Sequence, residues 1–219
     1  MYAQLQRTLS GHKVGLVVVS KTQPPERIMQ IYAQGQRIFG ENRPQEMAAK
    51  HAALPADIEW HLIGHLQTNK VKLVMPFVRM IHSVDSLRLL EEIEHQAARQ
   101  GRSVDCLLQF HIAEEESKFG LSEEEAHALL QSPAYAAMRH VRLCGVMGMA
   151  SFSDLEPQVR AEFRQLRGVF ERLRAAYFPE APHFRHLSMG MSGDWRIAVE
   201  EGSTLVRIGS AIFADPAAA

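Results

Sequence analysis

The feature that most limits what this chain can fold into is a short run, residues 14–19, built of glycine and aliphatic side chains with no polar group in it. A strand with one face in water alternates polar and apolar residues. This one does not, so both of its faces must be covered, as in a parallel sheet layered with helices. The remaining chain supplies such layers. Residues 23–36 read as a helix opened by Pro24 and Pro25, where a missing N–H costs little. Residues 37–39 read as a second strand, 44–53 as a helix, 58–63 as a third strand, 67–75 as a helix stopped by Pro76, and 78–81 as a fourth strand. Ser86 is placed to cap a helix over 87–100, with apolar Leu87, Leu90, Ile93 and Ala97 at helical spacing and Gly101 at the C′ position. A fifth strand follows at 104–110. Ser122 and Glu125 form a capping-box pattern ahead of 126–130. A sixth strand at 141–146 leads to a long helix, headed by Asp154 and running to about Tyr177. A seventh strand at 184–187, a helix at 195–201 and an eighth strand at 205–208 complete the alternation.

Eight strands alternating with helices predict a parallel sheet with right-handed crossovers. Eight is also the number that closes a (β/α)8 TIM barrel, and 219 residues fall near the lower end of that fold's range. The competing architecture is an open doubly wound sheet, which needs fewer units. No repeat, low-complexity segment or linker divides the chain, so residues 1–219 are expected to form a single α/β domain with a disordered tail at 215–219. Residues 1–13 lack the apolar stretch of a secretory signal, and no apolar run approaches the length of a membrane span. Lys and Arg total 24 against 25 Asp and Glu, a net charge of −1 that excludes a broad electrostatic grip on nucleic acid or anionic lipid. The two cysteines, Cys106 and Cys144, lie in apolar strand runs and read as reduced core thiols. A cytoplasmic, monomeric protein without nucleic-acid or membrane partners is the expectation.

In a barrel of this kind chemistry sits on the loops that come after the strands. Here the segments after the strands are polar and rich in glycine: Ser20-Lys21-Thr22, Glu41-Asn42, Gly64-His65, His82-Ser83, His111 and then Lys118, Met147 to Ser151, Ser188 to Ser192, and Gly209-Ser210. Loops are polar in any case, so the pattern alone is weak. Lys21 is its sharpest member. A lysine separated by one residue from six apolar strand residues is either an amine desolvated enough to attack an aldehyde or a snorkelling strand-end cation. The loops after strands seven and eight, with Ser192, Gly209 and Ser210, match the usual phosphate position of such barrels, although glycines there can also serve only to make tight turns. Strand periodicity turns Arg207 into the barrel with 205 and 209. A buried arginine needs an acceptor, and that is either a carboxylate such as Glu41 or Asp85 or an atom of a ligand. His61 and His65 are four apart but on a strand, so they do not form a helical metal pair. Met147, Met149, Met189 and Met191 fit core filling better than a flat ligand, and the glutamates at 114–116 and 123–125 read as solvated surface.

Six blocks then resemble one family: Val19-Ser-Lys-Thr22, Phe39-Gly-Glu-Asn-Arg-Pro-Gln-Glu46, Trp60-His-Leu-Ile-Gly-His-Leu-Gln-Thr-Asn-Lys70, His82-Ser-Val-Asp-Ser86, Leu187-Ser-Met-Gly-Met-Ser192 and Val206-Arg-Ile-Gly-Ser-Ala-Ile-Phe213. In order and over nearly the whole chain they are similar to the pyridoxal phosphate homeostasis proteins, whose fold is a barrel like the N-terminal domain of alanine racemases. The resemblance implies that Lys21 carries pyridoxal 5′-phosphate as a Schiff base. It implies further that Ser192, Gly209 and Ser210 hold the phosphate, that Arg207 faces the pyridine nitrogen, and that Asn42 and the Met147 to Ser151 loop line the pocket. The chain departs from the family in a shorter N-terminal segment, in Ala214 after Phe213, and in Phe110-His111 after strand five.

An arginine at the ring nitrogen opposes its protonation and weakens the cofactor as an electron sink. The four tyrosines, Tyr2, Tyr32, Tyr135 and Tyr177, fall in helical segments or at the terminus, so none is placed as the second base of a racemase. The expectation is a protein that binds, buffers and delivers pyridoxal phosphate, with pyridoxal-dependent apoenzymes as acceptors. A weak amino-acid racemase or lyase is the first alternative. An isomerase or aldolase using Lys21 on a phosphorylated sugar is the second.

Overall fold

The computed structural model describes residues 1–113 and 119–214. Its strands are β1 (Gly15–Val19), β2 (Ile38–Glu41), β3 (Glu59–Leu62), β4 (Met80–Val84), β5 (Val104–His111), β6 (Val141–Met149), β7 (His186–Ser188) and β8 (Leu205–Ile208). Each pairs in parallel with its neighbour in the chain, and β8 pairs with β1 from Gly15↔Leu205 to Val18↔Ile208. The sheet is therefore a closed eight-stranded barrel, and the open-sheet alternative is ruled out. The glutamates at 114–116, Lys118 and the tail at 215–219 lie outside the described residues.

Strand periodicity sorts the core into two layers. Val17, Ile63, Met80, Leu107, Cys144, Met147 and Leu205 pack together inside the barrel, while Val18, Phe39, Trp60, Leu62, Ile81, Leu108, Val146 and Val206 pack outward against the helices. Cys144 and Met147 are three residues apart and could not share a face of a regular strand. A bulge solves this: the β5–β6 register shifts between Cys106↔Leu143 and Leu107↔Gly145. Gly145 takes φ +148°, and a Cβ there would lie 1.9 Å from the His186 carbonyl oxygen, so only glycine fits. Both cysteines are buried and free; burial holds the Cys106 thiol well above its ordinary pKa and pushes that of Cys144 up to about 12.

The helices are α1 (Tyr2–Gly11), α2 (Pro25–Tyr32), α3 (Pro44–Ala53), α4 (Val71–Val74), α5 (Leu87–Arg99), α6 (Glu123–Leu130), α7 (Pro133–Ala137), α8 (Glu156–Tyr177), α9 (Trp195–Glu200) and α10 (Ser210–Phe213). Ser86 caps α5 through the Leu89 N–H, and Ser122 with Glu125 closes the expected capping box on α6. Other expectations are corrected. The N-terminal segment forms α1, whose Tyr2, Leu5 and Leu9 are buried in the outer core, with Tyr2 donating to Gln36 Oε1 at 3.0 Å. Asp154 does not cap α8; that helix begins at Glu156, and the Leu155 N–H is held by Ser153 Oγ. The second helix is only eight residues long. Among the described residues no helix is long and apolar enough to cross a membrane, and no group of histidine, cysteine or carboxylate side chains could hold a metal ion.

Candidate functional site

Several residues expected in loops are in fact the last residues of strands. Glu41, His82, Ser83, Met147 and Met149 belong to β2, β4 and β6, so the barrel wall extends further toward the site than apolar runs alone suggest. Glu41 and His82 can end those strands because each bonds to other polar groups, Glu41 behind the wall and His82 inside it.

Lys21 is the first residue past the buried Ser20 at the end of β1, and it is exposed. The backbone on both sides of it is clamped. The Ser20 N–H bonds to the Gly40 carbonyl, and the Ser20 hydroxyl donates to Glu41 Oε1 at 2.6 Å. Lys50 on α3 donates at 2.7 Å to the Ser20 carbonyl, to Glu41 Oε1 and to Glu46 Oε1. Glu46 in turn accepts the Thr22 N–H at 2.7 Å. Thr22 sits at φ +63°, a left-handed conformation that a β-branched residue adopts only when its surroundings impose it. Burial raises the Glu41 carboxyl above its ordinary range, against the opposing pull of Lys50 and Ser20. Glu41, Glu46 and Lys50 thus act as positioning residues that sequence reading missed. Glu41 points away from the barrel interior, because Ile38 and Gly40 take the inward positions of β2. It cannot be the partner of Arg207.

Arg207 does point inward and is 3% exposed. Its Nη1 donates to the Ser188 carbonyl at 2.8 Å and to Ser188 Oγ at 2.7 Å, and its Nη2 donates to the Gly148 carbonyl at 3.1 Å. Asp85, the other carboxylate considered for it, pairs with His65 at 3.2 Å instead. Burial draws the Arg207 guanidinium down to about 10, so it remains cationic at neutral pH. Its hydrogen bonds go only to neutral acceptors, while the Asp194 carboxylate acts on it through space, an arrangement that still favours an anion or a lone pair directly beside it.

The two glycine loops converge as expected. The Gly209 and Ala211 N–H groups both aim at Ser192 Oγ at 3.4 Å. The Ser210 N–H at the start of α10 has no acceptor among the described residues. A Cβ on Gly209 would stand 2.7 Å from the Val19 carbonyl oxygen, so the chain there hugs the end of β1. Because β8 lies beside β1, the cup and Lys21 are neighbours on the rim rather than facing one another across it. Gly190, at φ +97°, makes the turn that lets its carbonyl accept the Arg207 N–H at 2.9 Å. Asp194 binds the Met191 N–H, and burial raises its carboxyl.

Asn42 follows Gly40 on the inward parity of β2 and is half-buried. Gly64 approaches it so closely that a Cβ there would lie 2.5 Å from the Asn42 carbonyl oxygen. Met147 is fully buried in the interior cluster and forms part of the floor beneath the rim. Ser151 anchors its own loop instead of facing the pocket. Its N–H and hydroxyl both go to the Glu162 carboxylate at 2.7 Å, which ties the loop after β6 to α8. Met189 packs in the outer core, and Met149 is largely exposed. His61 forms no metal pair with His65 but bonds through Nδ1 to His82 Nε2 at 3.0 Å inside the barrel.

A closed parallel barrel with a rim lysine after β1, an inward arginine on β8 and two converging glycine loops beside it defines the class of the alanine racemase N-terminal domain, whose family model matches residues 2–216. Curated relatives narrow this. The chain is 40% identical over 201 residues to the pyridoxal phosphate homeostasis protein of Aquifex aeolicus, covering 91% of this chain and 86% of that one. It is 36% identical over 223 residues to the human protein of the same name, covering 97% and 80%. The chain belongs to the pyridoxal phosphate homeostasis protein family. The structure of PipY from Synechococcus elongatus with PLP bound superposes with a TM-score of 0.82 at 36% identity, covering 97% of this chain and all of that one. An alanine racemase from Bartonella henselae shares the fold, with a TM-score of 0.69 at 16% identity, and this chain spans 58% of it.

Proposed function

We propose that this protein binds pyridoxal 5′-phosphate and serves intracellular pyridoxal phosphate homeostasis, holding the cofactor on Lys21 and giving it up to apoenzymes. The observation that carries the reading is Arg207, a buried cation hydrogen-bonded only to neutral acceptors, beside the Ser192–Gly209 loops and a rim lysine. The residues fit the group: the cup offers N–H groups and a hydroxyl but no carboxylate contact, and the clamp on residues 20–22 fixes the origin of the Lys21 side chain. When bound, pyridoxal phosphate supplies an aldehyde with which a lysine amine can condense. Ser192, Gly209 and Ser210 hold its phosphate, Arg207 faces its ring nitrogen, and Asn42 lines the inward side. Met147 closes the floor, and Ser151 contributes by anchoring the loop above.

A carrier is favoured over a racemase. The tyrosine hydroxyls that have partners bond to Gln36, to Asp57, and to His127 and Gln131, all outside the site, so none is placed to move a proton there. Arg207 also keeps the ring nitrogen unprotonated by like-charge repulsion, which weakens carbanion stabilisation. The test is absorbance of the purified protein with added pyridoxal phosphate. A visible band is expected, and Lys21→Ala should lose it. Solvent deuterium exchange at Cα of alanine or serine, well above that given by free cofactor, would overturn the carrier reading.

A further inference from the structure

The opposite, N-terminal mouth of the barrel holds a depression of about 430 Å³, a volume typical of small-molecule sites. Its floor includes His61, which is 4% exposed, with the apolar side chains of Met80, Cys144 and Leu205. Its rim carries three arginines, Arg79, Arg142 and Arg185, against two carboxylates, Glu59 and Asp105. Asp105 is taken up by Arg142 at 2.6 Å and Arg79 at 3.3 Å, and Glu59 reaches Arg79 at 3.8 Å. Arg185 is exposed and has no carboxylate partner among the described residues.

The protons inside the barrel can be assigned from one end to the other. Burial holds His82 well below its usual pKa and His61 at about 3, so both imidazoles are neutral and each carries one N–H. Arg207 can only donate, and it donates to Ser188 Oγ. The other partner of that oxygen is His82 Nδ1 at 3.0 Å, so the hydroxyl proton points there. The reverse order would leave the proton of a fully buried hydroxyl without an acceptor. His82 therefore carries its proton on Nε2 and donates to His61 Nδ1 at 3.0 Å. That leaves the His61 proton on Nε2, with no acceptor among the described residues, at the floor of the depression. An N–H donor that opens onto the floor of the depression, beneath a rim with one arginine to spare, matches an acceptor with negative charge.

We infer that the N-terminal mouth of the barrel is a second binding site, for a small organic anion whose carboxylate or phosphate meets Arg185 and the His61 N–H and whose apolar body rests on Met80, Cys144 and Leu205. The inference is independent of the cofactor reading, since every lining residue lies at the other end of the barrel. Phenyl phosphate and benzoate are the probes, with benzamide as the neutral control, titrated calorimetrically into protein loaded with one equivalent of pyridoxal phosphate and freed of excess, so that the cofactor does not compete at the lower mouth. Loading is checked by the visible band; absence of that band indicts the cofactor reading alone, and the titration still reads the lower site. Saturable binding of the anions but not of benzamide is expected. Arg185→Gln, an exposed substitution that leaves the fold intact, should weaken that binding about tenfold, as loss of a charge-assisted contact does. Three results would overturn the inference: no saturable binding of either anion, equal affinity in Arg185→Gln, or binding seen only without pyridoxal phosphate, which would place the anions in the upper cup.

Discussion

Replacing Lys50 by methionine tests how the rim lysine is held. Lys50 is 7% exposed and satisfies three oxygens at once: the Ser20 carbonyl, Glu41 Oε1 and Glu46 Oε1, each at 2.7 Å. Methionine fills the same space but donates nothing. Glu41 would stay buried with only the Ser20 hydroxyl as donor, since its Oε2 already has no partner. Breaking a buried ion pair by removing one member costs about 3–5 kcal/mol, because the remaining charge is uncompensated. For a domain of this size each kcal/mol lowers Tm by about 2–4 °C, so Lys50→Met should melt roughly 10 °C below the parent. Adding Glu41→Gln to Lys50→Met removes the stranded charge and should recover about 2 kcal/mol or more. Guanidinium unfolding and thermal melts of the parent, the single and the double variant give these numbers. Cofactor uptake read by the visible band should fall in Lys50→Met, even at temperatures where it is folded, because residues 20–22 lose their clamp. A Lys50→Met protein within about 1 kcal/mol of the parent, or a double variant no more stable than the single, would refute the account of the clamp.

Three further outcomes follow from the same geometry. In His61 the folded pKa, at about 3, lies below the ordinary 6.5, so the unfolded chain binds the extra proton in that window. Stability should therefore be flat above pH 6.5 and fall as pH drops through it, by about 1.4 kcal/mol per unit for each histidine, with His82 adding in the same direction; denaturant midpoints unchanged between pH 7.5 and pH 5 would contradict this. Gly209→Ala puts a Cβ 2.7 Å from the Val19 carbonyl oxygen and should cost about 1–3 kcal/mol while weakening pyridoxal phosphate binding more than tenfold. Ser151→Ala should cost about 1 kcal/mol through loss of the Glu162 contact yet leave the visible band in place, and loss of that band would return Ser151 to direct cofactor contact.

How much of this was legible in the chain depends on how local each signal is. β1 was legible because its residues cannot face water, and the inward turn of Arg207 followed from parity alone. The cup residues were legible because glycine and serine after the last two strands have few other reasons to cluster. The features that escaped were non-local. Lys50 meets Ser20 across thirty residues of sequence, and only closure of β1 against β2 with α3 behind them brings the pair together. The strand ends escaped because polar residues such as His82 and Ser188 satisfy each other inside the barrel, which no hydropathy pattern records. The bulge at Gly145 shifts parity midway along β6, so Cys144 and Met147 face the same way against the period of two. Two local signals were also missed: Tyr2, Leu5 and Leu9 stand at helical spacing in α1, and Ser132-Pro133 marks the start of α7.

The two halves of the proposed site differ in rigidity, and that difference suits a carrier. The anion cup is fixed by backbone: Gly209 is wedged against Val19, and Gly190 and Arg207 are tied by a main-chain bond. Arg207 itself is immobilised by three hydrogen bonds within the barrel. Lys21, by contrast, has a pinned backbone and an exposed side chain. A ligand held by its phosphate and ring but joined through an exposed amine presents the labile bond to water and to any incoming amine. Grip and release are then separable: substitutions in the cup should change affinity, while substitutions in the clamp behind Lys21 should change how readily the bond forms and exchanges. A site built to stabilise a carbanion is better served by the opposite, a reacting bond enclosed from water with a second proton-moving side chain beside it, because a guanidinium at the ring nitrogen weakens the electron sink.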